Sequence, residues 1–164
     1  MAGVSRVLGI DPGLVATGYG LIELVGGGLH VAAVGVVETS ASLALEERLV
    51  LIHEGVAAVL DKQAPQLVVL EDLYAEYKFP RTALLMAHAR GVVCLAARQR
   101  CVPVWTLAPA EVKRAVSANG AASKEQVQRA VQALFRLPEL PHPTHVADAL
   151  ALAYTGLSRS RSIR

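Results

Sequence analysis

The feature that most limits what this chain can become is the run Leu67-Val68-Val69-Leu70, four apolar residues in a row between Pro65 and the acidic Glu71. A strand with one face in water alternates apolar and polar side chains. An unbroken apolar run reads instead as a strand covered on both faces, the habit of parallel strands reached by a helical crossover. The crossover lies just upstream. Leu45, Leu49, Ile52, Val56 and Val59 recur at steps of four and three, and Glu46, Glu47, Glu54 and Asp61 stay off that stripe, as in an amphipathic helix. Ahead of it, Val4 to Ile10, Thr17 to Val25 and Leu29 to Thr39 are rich in Val, Ile, Leu and Tyr. They are parted by Asp11-Pro12-Gly13 and Gly26-Gly27-Gly28, turn sequences that join consecutive strands antiparallel.

Past Glu71 the chain mixes charged and aromatic residues as far as Pro80, which reads as an exposed loop. The spacing then predicts a helix near Thr82 to Arg100 with Leu85, Ala89, Val92 and Ala96 inward, a short strand at Val102 to Thr106, and helices about Pro109 to Ser117 and Ser123 to Phe135. Thr144 follows a Pro-rich stretch as the expected N-cap of a last helix ending near Leu157. Three strands, a helix, a strand, a helix, a strand and three helices make an α/β fold, a mixed five-stranded sheet flanked by helices, which is the ribonuclease H arrangement. Residues 1–157 are expected to form a single ribonuclease H-like domain, with 158–164 a flexible basic tail.

A chain of 164 residues, 53% hydrophobic and 18% charged, buries enough surface for one core without disulfides. Cys94 and Cys101 show no C-x-x-C or metal-ligand spacing, so reduced structural thiols are expected. Mean hydropathy is +0.41, yet the longest stretch without a charged residue, Leu24 to Val37, has 14 positions, against about 20 for a membrane span. The early apolar stretch Val7 to Ile10 is cut short by Asp11, unlike a secretory signal, and a cytoplasmic protein with no membrane partner is expected. Charge is sorted along the chain: net −5 over residues 1–71, +6 over 72–136 and +1 over 137–164. A basic middle segment suits a phosphate-rich partner, although a solvated surface could be sorted in the same way.

Two acidic residues stand where a solubilising charge is not needed. Asp11 closes the first strand, and Glu71 closes the parallel strand expected beside it, so both carboxylates leave the sheet at one edge. Adjacent carboxylates repel unless a cation lies between them, and a divalent metal with oxygen ligands fills that role. Taken singly, Asp11 also suits an Asx-type turn and Glu71 a plain strand end. Asp148 lies among Ala147, Ala149, Leu150, Ala151 and Leu152 on the last helix, with His145 three residues earlier on the same face. In the first helical turn, the positive end of the helix dipole is expected to keep His145 neutral and able to ligate. Arg81, Lys113, Arg114 and Lys124 are candidate phosphate contacts, each also readable as a solvated charge, and Tyr74, an aromatic in the exposed loop, also suits ordinary loop packing.

Gly9-Ile10-Asp11-Pro12-Gly13 with Thr17-Gly18-Tyr19-Gly20, then Glu71, Ala89-Arg90-Gly91 and Ala147-Asp148-Ala149-Leu150-Ala151, jointly resemble the RuvC Holliday-junction resolvases across residues 4–157. The resemblance implies a metal-dependent endodeoxyribonuclease that nicks two opposing strands of a four-way DNA junction. It also implies a homodimer, a RuvA-RuvB branch-migration complex as partner, and two Mg2+ or Mn2+ ions held by Asp11, Glu71, His145 and Asp148, with Asp11 bridging. Lys113 and Lys124 match basic positions of the family, and Tyr74 its junction-stacking aromatic. Many members carry aspartate where this chain has His145. Because a four-way junction is two-fold symmetric, a C2 dimer suits it, with the helix around Leu84 to Ala97 as the expected interface.

Three other readings compete. A ribonuclease H-like nuclease acting on RNA shares the chemistry. A nucleotide-binding phosphotransfer module could use Asp11-Pro12-Gly13 as a phosphate loop, but such modules clamp nucleotide between two related domains. A non-catalytic junction binder has no need of four candidate metal ligands.

Overall fold

The computed structural model describes residues 3–73 and 80–163. Strands β1 (Arg6–Asp11), β2 (Ala16–Val25) and β3 (Gly28–Glu38) form an antiparallel meander. Helix α1 (Leu45–Gln63) carries the chain over to β4 (Leu67–Glu71), parallel to β1, and α2 (Pro80–Gln99) carries it on to β5 (Val104–Leu107), parallel to β4. Helices α3 (Pro109–Ser117), α4 (Lys124–Phe135) and α5 (Thr144–Ser162) follow, and the sheet order is β3-β2-β1-β4-β5. The apolar run of β4 lies between two strands and under helices on both faces, which is why it contains no polar residue.

Alternation along the strands sorts side chains into two cores. Leu8, Ile10, Leu21, Val68 and Leu70 point one way, onto Ile52 and Val56 of α1 and Ala89 and Val93 of α2. Val7, Ile22, Leu67 and Val69 point the other way, onto Val112 of α3, Val131 of α4 and Leu150 and Ala153 of α5. Each fully buried Leu or Ile contributes about 1.5–3 kcal/mol by leaving water. The same period of two puts Asp11, in step with Val7, and Glu71, in step with Val69, on the α5 side.

Helix α5 lies directly on the backbone of β1 and β2. A Cβ at Gly9 would overlap the Ala149 carbonyl, and one at Gly18 would stand 2.6 Å from both the Cβ and the carbonyl oxygen of His145. Glycine here lets the helix approach. The closeness brings the first turn of α5 over the end of β1.

Several boundaries differ from the sequence reading. On α2 the buried stripe is Ala89, Val93, Ala96 and Ala97; Leu85 is exposed and Val92 half-buried, because small residues let the helix sit close while its leucines ring the outside. Thr144 is the first helical residue, not a cap: Pro143 occupies the N-cap position, and no side chain caps the helix there. Helix α5 also runs past Leu157 to Ser162, where Arg159 lies 5.7 Å over the Trp105 ring and 3.6 Å from Glu111. Those contacts extend the helix. Both cysteines are free thiols. No helix among the described residues is long and apolar enough to cross a membrane.

Candidate active site

The β1–β4 register pairs Val7 with Leu67 and Gly9 with Val69; continued two residues further, it sets Asp11 beside Glu71. The chain leaves Asp11 through a turn held by the buried Thr17, whose hydroxyl donates to the Gly13 carbonyl at 2.9 Å and accepts from the Gly13 N–H at 3.2 Å. From above, α5 contributes His145 and Asp148, one turn apart. His145 Nδ1 lies 2.6 Å from Asp11 Oδ2. A carboxylate only accepts, so Nδ1 carries the proton and donates it.

Asp11, Glu71, His145 and Asp148 line one groove of about 750 Å³ together with Lys113 of α3 and Lys124 of α4. Burial pushes the Glu71 carboxyl up to about 7, with the charges of Asp11 and Asp148 adding to the rise and Lys113 and Lys124 opposing it. Asp148 is pushed up to about 6, again chiefly by burial and then by Asp11, against the pull of Lys124 and His145. His145 is raised above its ordinary value, first by its hydrogen bond to Asp11. That reverses the expectation of a ring kept neutral by the helix dipole, because a carboxylate in direct contact outweighs half a charge at a helix end.

Three neighbouring carboxylates and an imidazole are the donor types divalent metals take, and a cation would offset both the burial and the repulsion that raise Glu71 and Asp148. In charge and in kind the set fits such an ion. It is not closed around one: among the described residues, no three Asp, Glu, His or Cys side chains are grouped tightly enough to grip a single metal. The His145 contact takes one acceptor position of an Asp11 oxygen, and the carboxylate keeps others for a cation.

A family model described as Crossover junction endodeoxyribonuclease RuvC matches residues 7–156. The chain belongs to the RuvC family. It is 45% identical over 152 residues to a RuvC crossover junction endodeoxyribonuclease of Rhodopirellula baltica, covering 93% of this chain and 85% of that protein. With the Thermomicrobium roseum RuvC it shares 45% over 159 residues, covering 96% and 95%. Among solved structures, Thermus thermophilus RuvC in complex with Holliday junction substrate superposes with a TM-score of 0.87 at 34% identity, covering 96% of each chain. The family's activity makes this chain a nuclease, a hydrolase of DNA strands.

The RuvC fold brings together six of the residues singled out from sequence: Asp11, Glu71, His145, Asp148, Lys113 and Lys124. Arg81 is exposed on the first turn of α2, next to the groove-lining Thr82, and Arg114 is exposed on α3; neither lines the groove. Tyr74 lies outside the described residues. Sequence reasoning missed two cations. Arg90 sends Nη2 to the Thr106 hydroxyl at 2.7 Å and Nε to the Glu71 carbonyl at 3.4 Å, tying the ends of β4 and β5 together. Arg48 of α1 lines the groove from the far side. The only sequence sign of Arg90 was its place in Ala89-Arg90-Gly91; Arg48 carried none.

Proposed function

We propose that this chain resolves four-way DNA junctions by metal-dependent nicking of two opposing strands, acting as a homodimer with one active site per strand. The observation that supports the reading most is the convergence of Asp11 and Glu71, from adjacent parallel strand ends, with Asp148 and His145 of α5 in a groove flanked by lysines. Asp11, Glu71, Asp148 and His145 would hold two divalent cations, Mg2+ or Mn2+. When bound, these supply an activated water and charge stabilisation at the leaving 3′ oxygen of an in-line phosphodiester hydrolysis. Lys113 and Lys124 neutralise backbone phosphate as it enters the groove, and Arg81, Arg114 and Tyr74 are assigned to flanking DNA. The exposed apolar side of α2 is the assigned dimer surface, and the RuvA-RuvB branch-migration complex the assigned partner.

Synthetic four-way junction, plain duplex and RNA–DNA hybrid of matched sequence, each incubated with and without divalent metal, test the reading on one gel. Paired nicks on the junction alone, and only with metal, are expected. Preferential cutting of the hybrid would transfer the chain to RNA work. Manganese is expected to outperform magnesium because it accepts imidazole nitrogen more readily, and His145→Asp narrows the gap. Equal manganese-to-magnesium rate ratios in the two proteins would remove His145 from the metal set.

A further inference from the structure

Arg48 is half-buried on α1 and has no carboxylate within ion-pair distance among the described residues. Its Nε donates to the Thr39 hydroxyl at 3.1 Å. Thr39 is buried and fastened twice to the loop that follows Asp11: its hydroxyl donates to the Leu14 carbonyl, and its N–H donates to the Val15 carbonyl at 2.9 Å. The guanidinium is therefore anchored at one nitrogen to the segment leaving Asp11, and it lines the carboxylate groove. Keeping a half-buried cation without an anion is costly unless a ligand supplies one. Here the groove is the place where that ligand would lie.

The sheet's two layers give this position its meaning. Lys113 and Lys124 reach the groove from α3 and α4, on one face of the sheet, whereas Arg48 reaches it from α1, on the other. A row of carboxylates with cations on one side only would draw DNA against that side. Cations on both sides hold a phosphodiester backbone across the row. Arginine suits the task, since its planar fork keeps two terminal nitrogens for phosphate oxygens while Nε serves Thr39.

We propose that Arg48 is a further DNA-contact residue, presented by Thr39, that holds a backbone phosphate on the α1 side of the groove. The assignment rests on the junction-nuclease reading above and extends it by naming the second wall of the binding channel. Its energetic signature is one released counterion, a change of about 0.9 in the slope of log affinity against log salt, equivalent to about eightfold in affinity at 0.1 M monovalent salt.

The test measures junction affinity from 50 to 300 mM NaCl for full-length wild type, Arg48→Gln and Arg48→Lys. Ca2+ replaces the catalytic metal during binding, and Mg2+ is used for a parallel cleavage assay. Gln retains a donor for Thr39 and removes the charge; Lys retains the charge. The expected result is a slope shallower by about 0.9 in Arg48→Gln and an unchanged slope in Arg48→Lys. A wild-type slope in Arg48→Gln, or the same loss in both variants, overturns the assignment while leaving the nuclease reading intact. Wild type that neither binds nor cuts the junction in these assays overturns both.

Discussion

Helices α5 and α2 are nearly equal in length, 19 and 20 residues, and lie on opposite faces of one sheet, yet they meet it differently. Helix α5 presses onto strand backbone over Gly9 and Gly18 and buries almost its whole middle. Helix α2 buries only Ala89, Val93, Ala96 and Ala97, and leaves Leu84, Leu85 and Leu95 exposed at 66%, 40% and 53%. A side chain that has to stand beside Asp11 is carried by a helix packed directly onto strand backbone. A helix that keeps its largest apolar groups outside offers them to another surface, in line with the homodimer proposed above.

The largest expected effect of breaking this division is chemical. Asp148→Asn on α5, like Asp11→Asn and Glu71→Gln beneath it, is expected to lower the cleavage rate by about a thousandfold or more while junction affinity stays near wild type, since affinity comes from phosphate contacts. Single-turnover cleavage beside binding in Ca2+ checks it, and wild-type cutting by any one variant would strip that residue of its role. Next come two glycines. Gly18→Ala forces the first turn of α5 away and should cost about 1–3 kcal/mol with a parallel loss of rate. Gly91→Ala on α2, where a Cβ meets nothing within 4 Å, should gain about 0.5–1 kcal/mol. Urea unfolding of the pair tests the contrast; equal and opposite signs in the reverse sense would refute it.

On the α2 side, Leu84→Lys and Leu95→Lys are expected to shift sedimentation from dimer toward monomer with little change in melting temperature, because both side chains already face water. A fall in stability with no change in mass would place them in the core instead. The smallest effect is a pH dependence of opposite character on the two faces. Glu71, Asp148 and His145 all hold protons more tightly folded than unfolded. The folded state thus binds more protons between about pH 4 and 7, and the metal-free protein loses stability as pH rises through that range. Asp61, which α1 pairs with Arg100 at 2.6 Å, is shifted the other way by that hydrogen bond. Its contribution is present above its ordinary value and disappears only in stronger acid. Melting curves at pH 5 and pH 8 in chelator should favour pH 5, and saturating divalent metal should reverse the order.

Sequence was most informative where one local rule decides the outcome. The apolar run of β4 has a single reading, and the strand parity that follows from it puts Asp11 and Glu71 on one face. His145 and Asp148 were legible together because three residues on a helix are one turn. Reading failed where apolar residues surround a helix: Leu84, Leu85, Val92, Val93 and Leu95 cover several faces of α2, so periodicity cannot choose the buried one, and alanines made the choice through closeness of approach. It failed also for Arg48, 37 residues from Asp11 and joined to its loop only through Thr39. The Asp11 contact that raises the His145 pKa is a tertiary fact as well, out of reach of a helix-dipole argument.

Trp105, the chain's only tryptophan, lies under Arg159 at the far end of α5 from His145 and Asp148. Along that helix Arg159 is fourteen positions from His145 and eleven from Asp148, a rise of about 21 and 16 Å. Indole emission therefore gives a built-in optical gauge of whether the last turns of α5 are docked. It can be read without an attached dye while metal and DNA are added.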